Sequence, residues 1–336
     1  MHCPTLADLP PPPPGKTGWP WTVETPRLPA LRADGTPWPR ISIVTPSLNQ
    51  GQFIEETLRS VLLQGYPYLE YIVIDGGSHD ASAAIIGKYE RWLSYWVSEP
   101  DRGQAHAINK GLHRSSGEIF QWINSDDVLS VCALARVGES MRDVDAVAGS
   151  VLQFDGNGHS TLVPNRGLAA EGMILGGEST SFHQPGVWIG REDFVQSGGL
   201  DESLRYAFDW LFFLNYFSVW RRVRYLDATL VHFRLHSLSK TIAEGDRFTL
   251  EGLSVLEALR TTGQTSDVRN ACVTVLRTYM RRFEWSKFIR EQREAVTRSR
   301  AIRALVVLLA AFADPKVRLT RFTLGAIRRI LLSSSG

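Results

Sequence analysis

Cysteine is scarce in this 336-residue chain: there are three, Cys3, Cys132 and Cys272, far apart and odd in number. They form neither a CxxC pair nor a disulfide ladder, which excludes a disulfide-stapled fold and fits a reducing compartment. Long apolar runs are lacking too. The longest, Ala304–Ala313, is about half of what a membrane span needs. The N-terminus opens Met-His-Cys-Pro and soon meets Pro10–Pro14, with no apolar core for a signal peptide, so a cytoplasmic location is expected. No internal repeat is visible. Neither charge dominates, since 37 basic residues against 35 acidic ones leave a net of +2. With hydrophobic residues at 43% and charged residues at 21%, collagen-like, coiled-coil and wholly disordered chains are excluded. A chain of this length buries one sizeable core, or two smaller ones, without metal or disulfide staples.

What is present is unevenly spread. Eleven of the 17 prolines lie in the first 39 residues. From Arg277 to Gly336 there are 14 Lys or Arg against four acidic residues, a net of +10, which leaves residues 1–276 at −8. Three regions are therefore expected: a Pro/Trp-rich arm over 1–40, a globular body over 41–240, and a helical, basic C-terminal extension over 241–336. Prolines disfavour helix in the arm, but Trp19, Trp21 and Trp38 are too apolar for a free linker, so the arm is expected to dock on the body. Gly15-Lys16-Thr17 looks like the end of a P-loop, but the first glycine of that motif falls on Pro10 and no buried strand precedes it.

From Ile41 the pattern alternates. Ile41–Thr45 reads as a strand, Phe53–Gln64 as a helix and Tyr71–Asp75 as a second buried strand. Ala81–Trp92 is helical, Tyr95–Ser98 strand-like, Gln104–Arg114 helical, and Glu118–Ile123 a strand running into Asn124-Ser125-Asp126-Asp127. Such alternation implies an α/β fold, with a mainly parallel sheet and helices on its faces. Ligands bind beyond the carboxyl ends of strands in such sheets, and polar residues gather at those ends: Ser47 and Asn49, Asp75, then Asp126 and Asp127. A further strand is expected at Ala146–Phe154, and helix from about Asp246 onward.

Two adjacent carboxylates just past a buried strand are costly unless neutralised. A divalent cation on a diphosphate would do so; alternatively, one of the two caps a helix starting near Leu129. Asp75 is placed to accept hydrogen bonds from a base or ribose, or merely closes a strand–turn–helix, and Asp80 is expected to cap the next helix. Asp209 sits among aromatics in Ala207–Phe213, where an apolar surround pushes a carboxyl toward general-base range; a local donor such as Arg205 would satisfy it equally well. His236 is a candidate contact for metal or phosphate, or a simply hydrogen-bonded histidine.

Taken together, ISIVTPSLNQGQFIEETLRSVLLQGYPYLEYIVIDGGSHD at 41–80, SEPDRGQAHAINKGL at 98–112, GEIFQWINSDDVL at 117–129 and GGLDESLRYAFDWLFFL at 198–214 resemble the family 2 glycosyltransferases of GT-A fold. The resemblance covers roughly residues 40–240. It implies a Rossmann-like mixed sheet and transfer of a sugar from a nucleotide diphosphate donor with inversion, dependent on Mn²⁺ or Mg²⁺. By this likeness Pro46, Ser47, Asn49, Asp75, Asn109, Lys110 and Asp126 hold the nucleotide sugar. Asp127 and Asp126 take the metal, with Asp127 the more direct ligand and His236 a further candidate, and Asp209 is the base. The sequence departs from the common pattern at Gly76, where a second Asp is usual, at His106, often Asp, and at Leu211 and Asn215.

Two other readings compete. A nucleotidyltransferase would need a basic glycine-rich loop near the first strand, and Thr45–Asn49 holds no Lys or Arg. A non-catalytic nucleotide-sugar-binding subunit of a polysaccharide assembly complex would be expected to lose Asp209 or the Asp126-Asp127 pair. The acceptor implied by the resemblance is a lipid-linked or growing surface saccharide, and no nucleic acid is expected as partner. Ala301–Leu332 mixes Leu305, Leu308, Phe322 and Ile327 with Arg303, Lys316, Arg321 and Arg328. That pattern fits an amphipathic helix lying on the anionic inner face of a membrane, or one packed against protein.

Overall fold

The computed structural model describes residues 3–236 and 245–279. Residues 1–273 make one compact unit and the chain from Thr274 a second. The expected basic helix at 301–332 lies outside the described residues.

The first half follows the expected alternation. β1 (Ile41–Ser47) is buried at every position and pairs in parallel with β2 (Leu69–Asp75) and β4 (Ile119–Trp122), while β3 (Tyr95–Ser98) extends the sheet from β2. Apolar runs of this kind suit strands covered on both faces. The covering helices are α1 (Ile54–Leu62), α2 (Ser82–Tyr89) and α3 (Gln104–Arg114). α1 buries Ile54, Leu58, Val61 and Leu62, a helical stripe of i, i+4, i+7 and i+8. Asp80 stands one residue before the Ala81 N-cap of α2, and its Oδ1 accepts the Ser82 N–H at 2.9 Å.

Beyond β4 one expectation fails. No helix starts near Leu129. Val128–Leu129 forms a two-residue strand, β5, antiparallel to β9 (Val223–Leu235), and α4 begins only at Ala133. The buried Val128 and Leu129 side chains and a waiting strand edge outweigh any tendency of the two aspartates to open a helix here. β6 (Ala146–Asp155) runs parallel to β9 and antiparallel to β7 (Ser160–Val163) and β8 (Val187–Gly190). The sheet order is β3-β2-β1-β4-β8-β6-β9-β5, so it is parallel over its first four strands and mixed beyond. Short helices α5 (Ala170–Leu175) and α6 (Arg191–Gln196) connect these strands. α7 (Phe208–Val219) is mostly apolar and buries Phe212, Phe213, Tyr216 and Phe217. It packs on the sheet, where the Phe213 ring stacks on Trp122 with centroids 5.9 Å apart. α8 (Gly245–Thr262) follows, and residues 266–279 are also helical.

The arm is docked. Trp21 and Trp38 are buried and the Trp19 Nε1 donates to the Leu129 carbonyl at 2.7 Å. The clamp is Arg59 of α1, fully buried, whose guanidinium donates to the carbonyls of Pro10, Pro20 and Trp21 and to the Tyr89 hydroxyl at 2.9–3.2 Å. Further along, Arg32 donates to the Gly138 carbonyl and Asp34 pairs with Arg142.

Candidate active site

The carboxyl ends of β1 and β2 lie side by side, with Pro46 opposite Ile74 and Ser47 opposite Asp75. Asp75 is fully buried and its carboxylate accepts three hydrogen bonds, from the Ser78 N–H, the Ser78 hydroxyl and the Ser98 hydroxyl, at 2.6–2.9 Å. Asn49 joins the same turn in a left-handed conformation (φ 52°), donating its N–H to Ser78 Oγ and accepting from His79 N–H. Asn tolerates that conformation better than most residues. Ser47 is buried and its hydroxyl oxygen has no hydrogen-bond partner.

Gly76, where the family pattern usually carries a second Asp, has a structural counterpart. A Cβ at Gly76 would stand 2.6 Å from Asp101 Oδ2, so the carboxylate of Asp101 occupies the space that a side chain at 76 would fill. Asp101 Oδ1 accepts from Gly103 N–H at 2.7 Å. Sequence reasoning passed over Asp101, although the acidic Ser98–Asp101 stretch follows a strand end in the same sheet.

The turn after β4 carries the acidic pair. Asp127 is fully buried; its oxygens accept from Asn124 Nδ2 and from the Arg234 backbone N–H, at 3.3 and 3.2 Å. Burial, and then the neighbouring Asp126 charge, push its carboxyl well above the usual carboxylate range. Asp126 is the more accessible of the two, its side chain 19% exposed, and its Oδ2 lies 2.9 Å from His236 Nε2. The β5–β9 pairing makes this meeting possible: with Val128 opposite His232, the chain running on from β9 passes back over the Asp126-Asp127 turn. Arg234 comes with it. Its Nε donates to the Asp126 carbonyl, its Nη2 pairs with Glu56 at 3.0 Å, and its guanidinium lies over Phe53 and Phe154. The His236 ring also packs on Phe53, centroids 4.7 Å apart. Arg234 and His236 stand two apart, the spacing that shares one face of an extended chain, and that was the signal available for Arg234.

Among the described residues no group of three or more His, Cys, Asp or Glu side chains converges as a complete metal cage. Mg²⁺ and Mn²⁺ need no such cage when they bind with a diphosphate, since one or two carboxylates plus phosphate oxygens suffice. Asp126, with His236 beside it and Asp127 behind, is chemically a set of that kind.

The remaining residues are held elsewhere. Asp209 lies in the first turn of α7, half-buried, with Oδ1 accepting from Trp210 N–H at 2.7 Å. Asn109 uses its amide to tie α3 to the segment ahead of α7: Nδ2 donates to the Leu200 carbonyl and Glu202, and Oδ1 accepts from Leu200 N–H. Lys110 pairs with Glu99. Asn109 and Lys110 thus engage protein groups rather than the Asp126-Asp127 turn.

Known structures share this architecture. The mannosyltransferase PcManGT from Pyrobaculum calidifontis, solved with GDP-Man and Mn²⁺, superposes with a TM-score of 0.57 at 18% identity, over 89% of this chain and 92% of that one. S. aureus TarS 1–349, solved with UDP-GlcNAc, gives 0.56 at 17% identity, over 72% and 71%. The fold is therefore of the GT-A glycosyltransferase type. Residues 42–199 match the family described as Glycosyl transferase family 2. In sequence, the chain is similar to a putative teichuronic acid biosynthesis glycosyltransferase of Bacillus subtilis, TuaG, at 38% identity over 96 residues, 27% of this chain and 38% of TuaG. The chain thus matches well under half the length of such curated relatives.

Proposed function

We propose that this glycosyltransferase moves a sugar from a nucleotide diphosphate donor to a saccharide or lipid-linked acceptor, with inversion, in the assembly of a surface polysaccharide. The observation that carries this reading is the convergence of Asp126, Asp127, Arg234 and His236 beyond the end of β4. That is where an α/β sheet of this kind holds its ligand. Donor complexes of PcManGT with GDP-Man and of TarS with UDP-GlcNAc support a nucleotide sugar, and the name of TuaG supports a polysaccharide product. At the nucleoside end, the buried Ser47 hydroxyl and the Asp101 carboxylate are the groups available, because Asp75 already spends both oxygens on Ser78 and Ser98.

Mn²⁺ or Mg²⁺, when bound, neutralises the charge that gathers on the leaving diphosphate. Asp126 and His236 would hold it, with Asp127 behind them. Arg234 fixes the turn from beneath. Asp209 acts as base: the acceptor oxygen attacks the anomeric carbon, its proton passes to a carboxylate oxygen of Asp209, and the bond to the diphosphate oxygen breaks with its electron pair. One carboxylate suffices, since the diphosphate leaves without needing a proton. Residues 41–240 form the catalytic domain in this reading.

The test is a thermal-shift screen of UDP-GlcNAc, GDP-mannose and other nucleotide sugars with and without Mn²⁺. At least one is expected to raise the melting temperature by several degrees, with the rise lost in chelator. No response to any donor in Mn²⁺ would overturn the reading.

A further inference from the structure

Asp209 opens α7, and a helix outside the family stretch holds that opening in place. Glu251, in the first half of α8, directs its carboxylate at three consecutive amides ahead of α7. Oε1 accepts from Arg205 N–H at 2.8 Å, and Oε2 accepts from Tyr206 N–H and Ala207 N–H, both at 2.6 Å. Ala207 is the residue that precedes the first turn of α7, and it is fully buried. The next residue of α8 touches the other side. Gly252 is buried against Trp210, whose Cζ3 would be 4.0 Å from a Cβ at 252. The contacts of Glu251 and Gly252 thus fall on residues 205–207 and 210, and Asp209 lies between them. α8 is itself anchored by Val255, Leu256 and Leu259, which are buried at 4–5% exposure.

We propose that Glu251 is a positioning residue for Asp209, setting where the base stands by locking the backbone that leads into α7. This rests on the reading of Asp209 as the base. Charge-assisted hydrogen bonds from three amides to one carboxylate are short and strong, and a negative charge at this end of α7 also complements the helix dipole. The chemistry demands a carboxylate. In Glu251→Gln one acceptor oxygen becomes an NH₂ group, which would meet backbone N–H donor to donor. A base must sit within hydrogen-bond reach of the hydroxyl it deprotonates, and a displacement of about 1 Å costs up to roughly 100-fold in rate.

The experiment compares the full-length protein with Glu251→Gln, Glu251→Ala, Asp209→Asn and, as a control on the same helix, Glu257→Gln, whose side chain is exposed and pairs with Arg260. Hydrogen exchange is read at the amides of 205–207. Release of UDP from UDP-GlcNAc, or of GDP from GDP-mannose, is read with Mn²⁺. In both Glu251 variants exchange at these amides should quicken at least tenfold, and kcat should fall about tenfold or more while donor KM stays within twofold. Glu257→Gln should match the parent in both. Unchanged exchange at 205–207, a wild-type kcat, or a loss carried in donor KM would each overturn the proposal. Wild-type turnover in Asp209→Asn would instead remove the base reading, a result told apart because the exchange change in Glu251→Gln would persist.

Discussion

Asp127 carries a carboxyl with no water around it and a second carboxylate next in sequence. Its proton is held more tightly in the folded chain than in the unfolded one, where an Asp titrates near 4. The stability this confers is fully present below that value and is lost as pH rises toward the raised folded value. Asp127→Asn keeps the shape and removes the titration. Its melting temperature is expected to fall less between pH 4 and 8 than the parent's, and to exceed the parent by about 2 °C or more at pH 8. Mn²⁺-dependent donor affinity should weaken in the same variant. Scanning fluorimetry across that pH range checks the first expectation, and an unchanged pH slope would assign the decline to another group. Asp75, Asp126 and Asp127 could be read as candidates because each follows a buried strand in sequence, so a local pattern sufficed. Arg234 was not, since its partners Glu56 and Asp126 lie 178 and 108 residues away. Asp101 escaped for a related reason: its importance depends on an empty Cβ position at Gly76.

At the scale of elements, the alternation of strand and helix through β4 was readable from periodicity. The sequence beyond it was misread at Val128–Leu129, where two apolar residues take a strand partner a hundred residues on. Pairing of that range is decided by the sheet and not by local propensity. Arg59 on α1 is another such case, a buried cation in a helix whose pattern alone marks it as a surface position. Replacing it by Met would leave three arm carbonyls and the Tyr89 hydroxyl without their donor in a dry site. We expect Arg59→Met to cost about 3 kcal/mol, a fall in melting temperature of roughly 6 °C or more. Protease sensitivity should rise first within residues 10–21, and cleavage kinetics followed by mass spectrometry will show it.

For the whole molecule, the charge split places ten net positive charges from Arg277 onward and eight net negative before it. No helix among the described residues is long and apolar enough to cross a membrane. If the basic stretch at 301–332 brings the protein to lipid, the full-length chain will co-sediment with phosphatidylserine vesicles and a 1–300 truncation will not, with binding weakened by salt. Equal sedimentation of the two would sink that idea.

The docking of the arm has a consequence in time. It leaves the ribosome before the body does, yet its anchors are Arg59, the Leu129 and Gly138 carbonyls, and Arg142. At roughly 5–20 residues per second, Trp19 waits on the order of 5–20 s for its partner Leu129, 110 residues on, to be synthesised. During that interval the arm is an exposed, proline-spaced row of tryptophans, a natural substrate for nascent-chain chaperones, and folding yield should depend on them more than the final stability does.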